Sequence, residues 1–181
     1  DRGNLSTAAS LVQGELGLNE AQLGILFSAF YFGYVPFMPL MGVLAERFGA
    51  KSVFALGLGL WSVATLLTGF AGGFLSLLLL RIVLGIGESG AFPCASKVLA
   101  ASVPPERLGV ANGVLSFGYL IGPAVGTFLG GLLMAKVGWR PVFIVFGLVS
   151  LLWLIPWLRA KVPAPAKTEA GIVGPSLRTL L

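Results

Sequence analysis

Two charged residues interrupt one long apolar run. Arg81 and Glu88 sit within Leu75-Ser-Leu-Leu-Leu-Leu-Arg-Ile-Val-Leu-Gly-Ile-Gly-Glu-Ser-Gly90. A charge at mid-membrane costs roughly 2.5–3.5 kcal/mol on an insertion scale. Seven residues make almost two helical turns, so both side chains project from nearly one face at different depths, an arrangement suited to lining a polar cavity. Ionisable residues inside a span are pathway or proton-relay candidates, and the competing reading is a structural ion pair with another helix. A second polar cluster, Asp1, Arg2, Asn4, Ser6 and Thr7, opens the chain among small and apolar residues. A carboxylate held away from bulk water binds its proton more tightly, and a neighbouring arginine opposes that. Protonation of Asp1 or Glu88 would then depend on whether the arginine is occupied by an anionic solute. The alternative for Asp1 and Arg2 is a frayed, solvated terminus.

These groups need helices to hold them, and the composition says what kind. Only 10% of the residues are charged and 56% are hydrophobic, with a mean hydropathy of +0.94. Soluble domains carry roughly 25% charge, so such a chain cannot cover a water-facing surface. One cysteine, no histidine and seven scattered carboxylates exclude a disulfide scaffold and give no credible zinc or iron cluster. No Ser-His pair or nucleophile motif points to an enzyme. The net charge of +5 comes from single basic residues between apolar segments, not the basic stripe of a nucleic-acid binder.

Spanning the hydrocarbon takes about 20 apolar residues in a helix. The apolar runs are too long for barrel strands, and breaks at charge, proline and glycine predict an all-α polytopic bundle. A partial, truncated first helix is expected at 1–13, with spans near 21–45, 51–71, 73–101, 105–135 and 139–159. Residues 1–159 form the membrane domain on this reading, and 160–181 begin a central cytoplasmic loop. One set of short loops holds Arg47, Lys51, Arg107, Arg159, Lys161 and Lys167, and the other only Lys136 and Arg140. The richer set is expected to be cytoplasmic.

The chain also repeats itself. A gap-free shift of 89 residues carries Arg47-Phe-Gly-Ala-Lys-Ser-Val-Phe54 onto Lys136-Val-Gly-Trp-Arg-Pro-Val-Phe143. A shift across three helices reverses the side of the membrane, which predicts a 3+3 inverted repeat. Gly118, Gly122, Gly126 and Gly130 recur every four residues beside Pro123, and their first reading is close helix packing. Trp61, Trp139, Trp153 and Trp157 read mostly as lipid-facing or interfacial anchors. The hydroxyls of Tyr34 and Tyr119 would be costly in lipid, which turns both toward the cavity.

Gly42-Val-Leu-Ala-Glu-Arg-Phe-Gly-Ala-Lys51 resembles the loop signature between the second and third helices of major facilitator transporters. Arg81 with Gly85 and Gly87 resembles the fourth-helix signature, and Gly138-Trp-Arg-Pro-Val-Phe143 the start of the sixth helix. Asp1-Arg-Gly-Asn-Leu-Ser-Thr-Ala8, Glu88-Ser-Gly-Ala-Phe-Pro93 and Pro105-Glu-Arg107 together resemble the anion:cation symporter family of hexuronate, aldonate and aldarate permeases. The resemblance covers nearly all of residues 1–159. It implies the amino-terminal half of a transporter in a bacterial inner membrane, whose other half would be its partner. Transport would be alternating-access uptake of an organic anion with a proton as coupling ion and no cofactor. By the same resemblance Arg2 would hold the substrate carboxylate and Asp1 and Glu88 would be the protonatable pair. Arg81 would balance Glu88, Tyr34 and Tyr119 would face the sugar-like part, and Gly42, Glu46, Arg47, Gly49 and Lys51 would form the gating loop. A competing function is a membrane sensor on a transporter scaffold, which binds the anion and signals without net flux.

Overall fold

The computed structural model describes residues 3–162. Among them every regular element is helical: α1 (Asn4–Leu16), α2 (Glu20–Phe48), α3 (Ala50–Thr68), α4 (Phe74–Ser89), α5 (Ala91–Ser102), a 3-10 turn at Pro105–Arg107, α6 (Leu108–Val137) and α7 (Trp139–Arg159). Five segments are long and apolar enough to cross a membrane: α2, α3, α4 with α5, the 3-10 turn with α6, and α7. Leu56, Phe117 and Leu120 all face outward, as lipid contact requires, and the chain is an integral multi-pass membrane protein.

Local chemistry sets the helix ends. The Asn19 side chain accepts from the Gln22 backbone N–H at 2.8 Å, and the Gln22 side chain accepts from the Asn19 N–H at 2.9 Å. This reciprocal box starts α2. The span expected as one helix over 73–101 is divided at Gly90. Pro93 explains the break, because it has no N–H for the Ser89 carbonyl and its ring crowds that oxygen. The backbone resumes helical bonding one residue later, with Cys94 N–H donating to Gly90 O at 3.0 Å.

The inverted repeat has a structural signature. Gly49 and Gly138, mates under the 89-residue shift, have φ of 86° and 81°. Each ends one long helix and starts the next, a left-handed corner that glycine takes without a Cβ penalty. Their helices α3 and α7 then pack antiparallel. Lys51 Nζ, at the start of α3, donates to the carbonyls of Leu158 (2.8 Å) and Ala160 (2.6 Å) at the end of α7. Arg140, the repeat mate of Lys51, donates from the start of α7 to Gly69 O (3.1 Å) at the end of α3. Gly69 and Leu158 are themselves mates under the same shift, so the two ties are images of one another. Each places a cation on the carbonyl end of a helix, where the macrodipole favours it.

Glycines bring the central helices into backbone contact. A Cβ on Gly57 of α3 would lie 2.6 Å from Gly87 O of α4, and one on Gly87 would lie 2.8 Å from Trp61 N. Gly33 of α2 and Gly85 of α4 meet in the same way across the α2–α4 crossing. Such small-residue contacts are how membrane helices gain packing without a hydrophobic driving force. They hold α4, and with it Arg81 and Glu88, between α2 and α3.

Candidate functional site

A cavity of about 820 Å³ lies among α1, α3, α4, α6 and α7. Its polar lining includes Asn4, Glu88, Tyr119, Thr127 and Ser150, and Trp61, Phe146 and Trp153 supply aromatic walls. Glu88 occupies the last turn of α4, directly before the Gly90 break, and is only 9% exposed. Tyr119 of α6 meets the Phe92 ring edge-on at 5.7 Å. Asn4 is 4% exposed, and its Nδ2 has no hydrogen-bond partner among the described residues.

The cavity closes at one end and opens at the other. Near the C-terminal end of α6, Cβ atoms on Gly130 and Gly131 would meet the Phe146 ring (3.4 Å) and Thr7 (3.3 Å), and one on Gly3 would meet Thr127 Oγ1 (3.1 Å). Further back along α6, Gly118, Gly122 and Gly126 have no neighbour within 4 Å of an added Cβ, and all three line the cavity. Among the described residues, the packing expected for the four-residue glycine series is seen at Gly130, and the other three face the cavity.

The remaining expected site residues are spread over several faces. Arg81 is 6% exposed on α4, within electrostatic reach of Glu88 and Tyr31 but outside the cavity lining. Tyr34 also stands off the lining; its ring stacks on Phe30 at 5.3 Å against the α2–α4 contact. Asp1 and Arg2 lie outside the described residues, as does the 163–181 stretch of the expected loop. The structure thus brings Glu88 and Tyr119 to one cavity and places Arg81 and Tyr34 beside it, on the α2 side of α4.

The gating-loop residues engage neighbours in the same bundle. Glu46 pairs with Lys97 of α5 at 2.8 Å, and the same ammonium reaches Gly42 O at 3.3 Å. Arg47 is exposed and lies 5.4 Å above the Phe48 ring. Gly49 supplies the corner, and Lys51 the tie to α7 described above. Because Lys97 rides on α5, just beyond the Gly90 break, this loop and the site acid are joined by one short helix.

Sequence reasoning missed the roles of several residues that matter to this geometry. Trp139, expected at an interface, is 2% exposed, and its Nε1 donates to Glu15 Oε2 at 2.6 Å. Trp61 and Trp153 wall the cavity. Arg140 Nε donates to Glu15 Oε1 at 2.8 Å, so Glu15 ties α1 to α7. Arg140 first, then Trp139, holds the Glu15 carboxyl below its usual range by hydrogen bonding. The signal available in advance was the adjacency of Trp139 and Arg140 after Gly138, on the same side as the acids Glu15 and Glu20.

The Major Facilitator Superfamily profile matches residues 1–179. The chain is 44% identical over 155 residues to a probable sulfoacetate transporter of Cupriavidus necator, covering 86% of this chain and 36% of that protein. It is 32% identical to a hexuronate transporter of Bacillus subtilis (93% of this chain, 40% of that protein). It is 34% identical to a D-galactonate transporter of Escherichia coli (95% and 40%). The chain therefore spans 36% to 40% of the length of these relatives. A bacterial homologue of the human lysosomal transporter Spinster, solved in an inward-facing and unoccupied conformation, superposes with a TM-score of 0.79 at 24% identity. That match covers 96% of this chain and 42% of the other.

Proposed function

The chain belongs to the Major Facilitator Superfamily, whose relatives named above are transporters and not enzymes, and on that premise we propose that it forms part of a secondary active transporter for a small organic anion. The reading has the anion, a sugar acid such as a hexuronate, aldonate or aldarate, entering with a proton by alternating access across a bacterial inner membrane. The other part of the transporter completes the cavity. The observation that carries it is Glu88, a buried acid lining a largely apolar cavity at a break in its own helix. An ionisable side chain held inside a span is a candidate for the transport pathway or a proton relay. Arg2 is assigned the substrate carboxylate, and Asp1 joins Glu88 as proton carrier. Arg81 sets the potential at Glu88 from within α4, and Tyr34 and Tyr119 orient the polar body of the substrate. Gly42, Glu46, Arg47, Gly49 and Lys51 form the gating loop, which acts through Lys97 on α5 and through the end of α7.

The test is Glu88→Gln in the whole transporter, reconstituted in proteoliposomes with labelled D-galactonate, D-glucuronate and sulfoacetate. Accumulation driven by a pH gradient should be lost while exchange of the same acid across the membrane persists. Undiminished proton-driven accumulation by the variant would remove Glu88 from the coupling role.

A further inference from the structure

Glu15 stands at an awkward place in its own helix. It is the last residue but one of α1, where the macrodipole disfavours a carboxylate. The same carboxylate lies against the first two residues of α7, Trp139 and Arg140, where the dipole of that helix favours it. Trp139 is buried, and an indole N–H at that depth needs an acceptor. Arg140 lies over the Trp139 ring, 4.5 Å from its centre, while its Nη1 donates to Gly69 O at the end of α3. One carboxylate thus joins the ends of three helices. The rest of α1 is held by less directional contacts. The hydroxyls of Ser6 and Thr7 turn back to Gly3 O, and Leu5, Ala8 and Val12 pack in the apolar core, an attraction without preferred direction. Among the described residues, Glu15 supplies the side-chain hydrogen bonds that run from α1 to another helix.

At the other end of α1, roughly 16 Å away along the axis, Gly3 and Asn4 line the cavity. A second ion pair follows the same plan. The 89-residue shift carries α1 onto 93–105, over α5 (Ala91–Ser102). That helix continues from Glu88 and is held to the Gly49 corner through Lys97 and Glu46, as α1 is held to the Gly138 corner through Glu15 and Arg140. We propose that Glu15 is a positioning residue for the substrate anion: its clamp on Trp139 and Arg140 fixes the place of α1, and thereby of the Asp1-Arg2 pair that precedes it in the chain. The inference rests on the assignment of that pair to proton and anion under the transporter reading. Glu15 acts through the helix and not by contact with the anion, and a displacement of about 1 Å in a positioned group costs up to about 100-fold in a site.

The experiment uses the whole transporter with Glu15→Ala, Glu15→Gln and Trp139→Phe. Uptake of labelled D-galactonate, D-glucuronate and sulfoacetate is measured over a range of concentrations at matched membrane expression, which separates KM from the maximal rate. The expected result for Glu15→Ala is a KM for the carried acid raised about tenfold, with the maximal rate per folded transporter little changed. Glu15→Gln, whose amide oxygen can still accept from Trp139, and Trp139→Phe, which keeps a ring and removes the donor, should each raise KM by less. Hydrogen exchange over residues 4–16 of the purified protein reads the hold on α1 without any substrate, and it should be faster in Glu15→Ala than in the wild type. A loss of folded protein or maximal rate with KM unchanged would make Glu15 a stabilising residue only and overturn the proposal, and so would unchanged exchange in α1. A wild type that takes up none of the three acids would instead remove the transporter reading, while the exchange rates still decide whether Glu15 holds α1. Should Glu15→Ala fail to fold, Glu15→Gln and Trp139→Phe decide by the same comparison of KM.

Discussion

Gly57→Ala offers the sharpest check on the packing that positions Glu88. The new Cβ would lie 2.6 Å from Gly87 O, and ordinary contact begins at 3.4 Å, so α4 must retreat by roughly 0.8 Å or the contact is strained. The oxygen belongs to a helix backbone and cannot rotate away as a side chain would. Overpacking of this kind costs about 1–3 kcal/mol. Against it stands the roughly 1 kcal/mol that Ala gains over Gly in a helix. Gly59→Ala, two residues along the same helix, gains the same propensity and meets nothing within 4 Å. The difference between the two variants therefore isolates the overpacking cost, about 1–3 kcal/mol. For a chain of this size each kcal/mol moves the melting temperature by about 2–4 °C. Thermal unfolding of the two purified proteins in one detergent would measure it, with Gly57→Ala melting below Gly59→Ala by several degrees. Coincident melting curves would refute the backbone contact between α3 and α4, and with it the account of how Glu88 is held.

Two further outcomes follow from the polar ties. Lys51→Met and Arg140→Met should each destabilise the bundle by about 0.5–2 kcal/mol, as expected for losing a cation at a helix C-terminus. The ties sit at opposite ends of helices roughly 28 Å long, so the double variant should be additive within about 0.5 kcal/mol in the same melting assay; a larger coupling would mean that the ends communicate. Glu15→Gln should lower stability at neutral pH. Because the Glu15 carboxyl is held below its ordinary value of 4.5, its contribution is complete above that value and is lost as pH falls through the lower folded one. The wild-type advantage should therefore vanish in acid, and an advantage that persists there would contradict the pairing with Arg140 and Trp139.

The fold was legible wherever the signal was local. Apolar length and breaks at glycine and charge mark the spans, and the shift that joins Arg47-Phe54 to Lys136-Phe143 anticipates the corners at Gly49 and Gly138. Glu88 was legible because a charge in hydrocarbon needs a reason. What escaped depended on which way a helix face turns. Trp139 and Trp153 look alike as aromatics of one apolar segment, yet one is buried against Glu15 and the other is largely exposed beside the cavity. Likewise the four-residue glycine spacing on α6 is the same whether the face touches a neighbour or a cavity, and only the placed neighbours separate Gly130 from Gly118 among the described residues. The Gly90 break was hidden for a related reason: Pro93 reads as a kink, but whether a kink bends a helix or divides it is set by what packs around it.

The mirrored ties of Lys51 and Arg140 have an electrical consequence. Helices α3 and α7, of 19 and 21 residues, run in opposite directions, so their macrodipoles oppose one another. Their two tying cations sit at opposite ends of the pair. The membrane potential does about 2.3 kcal/mol of work per elementary charge per 100 mV. Arg140 is also paired with Glu15, which largely cancels the charge at that end, whereas Lys51 rests on neutral carbonyls. A tilt of this pair would therefore move the Lys51 charge through the field almost alone, at a cost set by how far along the membrane normal it travels.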